Sequence, residues 1–178
     1  MTIQTQGPTK LLVDTIIETV VKVVLSGRSR ITVCAANGVS CEGWLKVELL
    51  RGLVDALGST DATEILPEAQ NVDLTVRRAS DQVLLELKTF PTNYGGGCKP
   101  ITNFIDGVID DLTKLSNRRG GTGIGLAIWL AYVVPEPVPS TWPDHLARIK
   151  ANAAKMLRAE RIPLWEKAFG HLYIMESK

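Results

Sequence analysis

Cysteine and histidine are scarce in this chain: among 178 residues there are three of the first, Cys34, Cys41 and Cys98, and two of the second, His145 and His171. There is no CxxC pair and the histidines lie far from the thiols, so the spacing excludes a zinc site and points to buried or idle cysteines. Neither histidine has a neighbour that would make it catalytic. Aromatic residues make up 6%, and Trp44, Trp129, Trp142 and Trp165 are scattered singly, which suits core or lid packing better than a base-stacking platform. Charge is nearly balanced. Twenty basic against 19 acidic residues leave +1, so attraction to nucleic acid has to come from local pairs such as Arg77 with Arg78 or Arg118 with Arg119. The longest apolar run, Ile124 to Val134, is eleven residues, against the roughly 20 that a membrane helix needs. The N-terminus carries no signal-peptide pattern, and the expectation is a cytoplasmic protein with no membrane partner.

What the sequence does contain is 45% hydrophobic residues, enough for a sizeable core in one domain over 1–178. It also contains one stretch with strong chemical content, Asn71 to Thr89. The first arm alternates Val72, Leu74 and Val76 with Asp73, Thr75 and Arg77; the second sets Val83, Leu85 and Leu87 against Leu84, Glu86 and Lys88. Turn-forming residues from Ala79 to Gln82 join the arms into a hairpin. A loop of two or four residues there pairs Asp73 with Lys88 and sets Glu86 on the diagonal. Side chains so related on one face lie within roughly 5 to 8 Å, close enough for two carboxylates to share a metal ion beside an ammonium.

Before the hairpin, apolar residues from Leu12 to Val24 recur at helical spacing and Ser26-Gly27 ends the run, which predicts an N-terminal helix over 9–26 after a disordered start. Arg30 to Ala35 reads as a short strand and Asn37-Gly38 as a turn. A second helix starts near Ser40 as N-cap, carries Leu45, Leu49, Leu53 and Leu57, and stops at Gly58. Glu42 lies along its apolar stripe and Glu48 points away from it. Ala62 to Leu66 is a third strand, making a meander with the hairpin.

After Thr89, the glycine-rich segment PTNYGGGCK reads as a mobile loop. Ile101 to Leu115 is an amphipathic helix, and Ile124 to Val134 a strand buried on both faces and parallel to the Glu86 strand. GGTGIG at 120–125 precedes that strand and lacks a following Lys-Ser/Thr, so it reads as a turn, not a phosphate loop. Asp106, Asp110 and Asp111 read as a solvated helix face and not a metal cluster. In 135–178, a proline-rich linker precedes a helix from Trp142 to Glu160 and a last strand from Gly170 to Met175.

A helix, three antiparallel strands, a helix and a strand, with an acid on the second strand and Glu-x-Lys on the third, resembles the PD-(D/E)xK nuclease superfamily. The resemblance covers about 40–134. It implies an α/β, restriction-endonuclease-like αβββαβ core with a mixed sheet flanked by helices. Asp73 stands at the family's first acid and Glu86 and Lys88 at its Glu-x-Lys; Val72 replaces the proline that often precedes the acid. By this resemblance Asp73, Glu86 and the Leu87 carbonyl are the Mg²⁺ (or Mn²⁺) ligands, Lys88 orients the attacking water, and Glu42 is an additional helix acid. The implied activity is DNA endonuclease, with room for a homodimer. The alternative is a non-catalytic nucleic-acid-binding or structural subunit on the same fold.

Overall fold

The computed structural model describes residues 7–58, 63–92, 101–118 and 123–178. Three helices come first: α1 (Pro8–Ser26), α2 (Arg28–Ala36) and α3 (Glu42–Leu57). The strands β1 (Thr63–Pro67), β2 (Leu74–Arg78) and β3 (Asp81–Pro91) follow, then α4 (Ile101–Arg118), β4 (Ile124–Pro135), α5 (Trp142–Asn152), β5 (Ala153–Trp165) and β6 (Ala168–Ser177). The described residues form an α/β structure whose six strands make one mixed sheet in the order β1-β2-β3-β4-β6-β5. The β1-β2-β3 meander is antiparallel, β3 and β4 pair in parallel across α4, and β6 runs antiparallel to both β4 and β5. Among the described residues, no helix is long and apolar enough to cross a membrane.

Helices cover both faces of the sheet. On one face, Leu12, Ile16 and Val20 of α1 and Leu45, Leu49 and Leu53 of α3 bury against Leu74, Leu85, Leu87 and Ile128. On the other, Ile105, Val108 and Leu112 of α4 and Ile149 of α5 bury against Leu84, Phe90, Trp129 and Met175. Phe90 stacks on Phe104 of α4 with ring centroids 4.7 Å apart. The predicted helical stripes of α1, α3 and α4 are the buried ones because a period of 3.6 puts them on a single side.

Three expectations are corrected by this architecture. Arg30 to Ala35 is not a strand but part of α2, with Ile31 and Ala35 buried one turn apart. A strand alternation would have buried Val33 with Ile31, yet Val33 is 63% exposed, so packing overrides the strand preference of Ile, Thr and Val. The helix predicted to reach Glu160 ends at Asn152, and 153–165 form edge strand β5 instead. Its reason is β6, an apolar strand that takes a partner on each side, while Pro163 is barred from a helix interior and tolerated at a sheet edge. Met156, expected inside, is accordingly exposed.

The hairpin register is the third. Its turn is the two residues Ala79 and Ser80, and Leu74 faces Leu85 while Val76 faces Val83. Asp73, one residue before β2, therefore sits opposite Glu86 and not Lys88. Asp81 starts β3 and accepts a 2.6 Å hydrogen bond from the Thr9 hydroxyl of α1, and Ala79 takes the turn's left-handed φ of 53°. Of residues 1–8, expected to be disordered, the first six lie outside the described residues, as do most of the glycine-rich loop with Cys98 and residues 119–122, whereas Pro8 already begins α1.

α4 is seated on β4 through Gly125. A Cβ there would come within 2.8 Å of Leu115 Cβ and 2.5 Å of Ser177 Oγ. Gly125→Ala is expected to cost about 1–3 kcal/mol of stability in denaturant titration by levering α4 off the sheet. A variant as stable as the parent would contradict this packing.

Candidate active site

Strand β3 continues from Glu86 to Pro91 after its ladder with β2 has ended at Leu85. The backbone edge left open there is satisfied by side chains. Asp73 Oδ2 accepts the Leu87 N–H at 2.8 Å, and Glu42 Oε2, at the first turn of α3, accepts the Thr89 N–H at 3.2 Å. Ser40 Oγ donates to the Thr89 carbonyl at 3.2 Å, and the Cys41 N–H donates to the Thr89 hydroxyl at 3.1 Å. Because N–H and C=O of one strand residue point the same way, the Leu87 carbonyl faces this opening too.

Around the open edge, acids and ammoniums alternate. Lys46 of α3 lies 2.7 Å from Asp73 Oδ1 and 2.6 Å from Glu68 Oε1. Lys114 of α4 forms an ion pair with Glu86 Oε1, without the angular alignment of a hydrogen bond. Lys88 reaches Asp111 Oδ2 of α4 at 3.3 Å, and its stem would be 3.6 Å from a Cβ at Gly107, one turn earlier on that helix. Strand β3 and α4 thus hold two stacked ion pairs, Glu86 with Lys114 and Lys88 with Asp111.

The five residues singled out from sequence, Glu42, Asp73, Glu86, Leu87 and Lys88, all meet at this edge. Lys88 is turned toward α4 instead of onto Asp73. Glu48 lies on another side of α3, between Arg30 at 3.5 Å and Arg51 at 3.7 Å. Lys46, Lys114 and Asp111 were missed. Lys46 sits about 40° from the centre of the leucine stripe of α3 and Asp111 about 80° from that of α4, at 100° per residue, so both phases carried a signal. The solvated-face reading holds for Asp106, paired with Arg148 at the surface, but not for Asp111, which is mostly buried. Arg118 donates to the Gln70 carbonyl at 3.1 Å.

Burial separates the two facing acids. Glu86, 5% exposed, is pushed up to about 7 by burial; the Lys114 ammonium opposes the shift, and the neighbouring Asp73 carboxylate adds to it. Burial also pushes Asp73 upward, but Lys46, the Leu87 N–H and a hydrogen bond with Glu86 outweigh it and hold this carboxyl below its usual range. Lys88 is raised: burial lowers it, while Asp111, Glu42 and Glu86 more than offset that. An acid pair with one low and one high member keeps a proton near neutrality.

For Glu86, the folded protein binds a proton that the unfolded chain releases near 4.5, so this group's contribution to stability falls as pH rises from 4.5 to about 7. Asp73 acts with opposite sign and only below its unfolded value of 3.8, where acid removes a stabilising carboxylate. In chelator, the stability difference between the parent and Glu86→Gln, which mimics the protonated acid, is expected to shift against the parent by on the order of 2–3 kcal/mol over that window. Parallel pH profiles would contradict the assigned burial. No family model, no curated protein and no solved structure matches the chain, and the reading of this cluster rests on its own geometry.

Proposed function

We propose that the chain is a Mg²⁺- or Mn²⁺-dependent DNA endonuclease of PD-(D/E)xK type, built on a restriction-endonuclease-like αβββαβ core. The observation that carries the reading is the convergence of Asp73, Glu86 and Lys88 at an open edge of an interior strand, with Glu42 beside them. Buried charges at such a position are costly even when paired, as these are, and a site that binds a ligand is one reason to keep them.

The donor set fits a hard cation: the carboxylates of Asp73 and Glu86 and the Leu87 carbonyl are all oxygen. A divalent cation held by Asp73, Glu86 and the Leu87 carbonyl would supply charge neutralisation at the phosphate and would acidify the attacking water. The chain's own residues do the rest. Asp73 keeps Leu87 in place through its N–H, Glu42 does the same for Thr89, and Asp111 holds the Lys88 ammonium at the rim. From there Lys88 orients the attacking water and stabilises negative charge as it grows on the phosphate oxygens.

A second reading, a non-catalytic nucleic-acid-binding or structural subunit, draws on the pairing of each central acid with a lysine, which is what a purely structural network also needs. Supercoiled, linear and branched DNA incubated with and without Mg²⁺ or Mn²⁺ separates the two. Cleavage that requires the metal is expected, and none on any substrate would favour the second reading. Lys88→Ala is expected to lower the cleavage rate by roughly 10²–10³ while changing DNA affinity far less. Equal losses in rate and affinity would make Lys88 a phosphate contact only. Glu42→Gln is expected to impair cleavage and Glu48→Gln to leave it intact; the reverse would move the helix acid to the other face of α3.

A further inference from the structure

Lys46 and Lys114 belong to neither strand of the hairpin, yet their ammoniums sit on the two carboxylates assigned to the cation. Lys88, the ammonium of the Glu-x-Lys, is instead engaged with Asp111 at 3.3 Å. An ammonium and a divalent cation repel at such separations, so occupation of the acids by metal requires the lysines to leave. Both have somewhere to go. Each head is on a flexible four-carbon stem from a different helix, and both side chains are partly solvent-exposed. Lys46 already reaches a second, exposed anion, Glu68. Swung off the carboxylates, the two ammoniums flank the opening from the α3 and α4 sides, where an approaching phosphate meets them first.

We propose that Lys46 and Lys114 hold the cation position while the metal is absent and become phosphate-binding ammoniums once a divalent cation takes the carboxylates. This rests on the nuclease reading of the same site. Lys88 stays on Asp111 throughout, so the roles divide between one lysine held in place and two that exchange.

The test titrates Mn²⁺ into the full chain by calorimetry for the parent, Lys46→Met, Lys114→Met and Lys114→Arg. It also measures the salt dependence of binding to a phosphorothioate duplex in saturating Mn²⁺. Each methionine variant is expected to bind Mn²⁺ roughly tenfold more tightly, because a competing charge is gone. Each is also expected to lose about one unit of salt slope on the duplex. Lys114→Arg, which keeps the charge, should behave like the parent in both. Unchanged or weaker Mn²⁺ binding in both methionine variants would overturn the exchange, and so would an unchanged salt slope. Thermal melts report folding, and Lys46→Gln with Lys114→Gln carry the same comparison if a methionine variant unfolds. A parent that binds Mn²⁺ and duplex without cleaving, with tighter Mn²⁺ binding in the variants, would sink the nuclease reading and sustain the exchange. Normal cleavage with Mn²⁺ affinity unaltered in the variants would sink the exchange alone.

Discussion

Backbone amides of an interior strand must find partners, and β3 outruns β2, the strand that would have supplied them on one side. From Leu87 to Thr89 the missing ladder is replaced by the carboxylates of Asp73 and Glu42 and the hydroxyl of Ser40. The acids are drawn to this edge by ordinary hydrogen-bonding needs. Once there, they lie in a partly dehydrated opening between α3 and α4, where a carboxylate without a cationic partner would cost several kcal/mol.

The lysines follow from that cost. Asp73, Glu86 and Asp111 each have one, delivered by α3, α4 and β3 respectively. Gly125 and the stacked Phe90 and Phe104 fix the height of α4 above the sheet and so set the reach of Lys114 and Asp111. Apolar packing beside the charges thus determines whether they meet. On the proposed reading, the same lysines that make the buried acids tolerable are the groups a cation has to displace.

The hairpin was legible because its face assignment survives a change of register. Moving the turn to Ala79-Ser80 changed which residue lies opposite Asp73, but both loops have an even number of residues, so Asp73 and Glu86 stayed on one face. Helical phase likewise placed Glu42 at the strand edge. α2 and β5 were not legible. The Ile-Thr-Val run of α2 favours a strand locally, and the start of β5 prolongs the helical pattern of α5; each is decided by a neighbour distant in sequence. Ion pairs such as Lys46 with Asp73 or Lys114 with Glu86 join residues from separate elements, so periodicity can say that Lys46 lies near a buried stripe, but it sets Lys114 about 140° from that of α4 and names neither partner.

The claim that most of this account depends on is that the acids gathered at the open edge of β3 form a cation site. Anomalous diffraction from crystals soaked in millimolar Mn²⁺ addresses it directly. The account predicts one or two peaks between the carboxylates of Asp73 and Glu86 and the Leu87 carbonyl, with the Lys46 and Lys114 ammoniums withdrawn from those oxygens. Crystals with both acids open to solvent, no peak at that position and both lysines still in contact would contradict it.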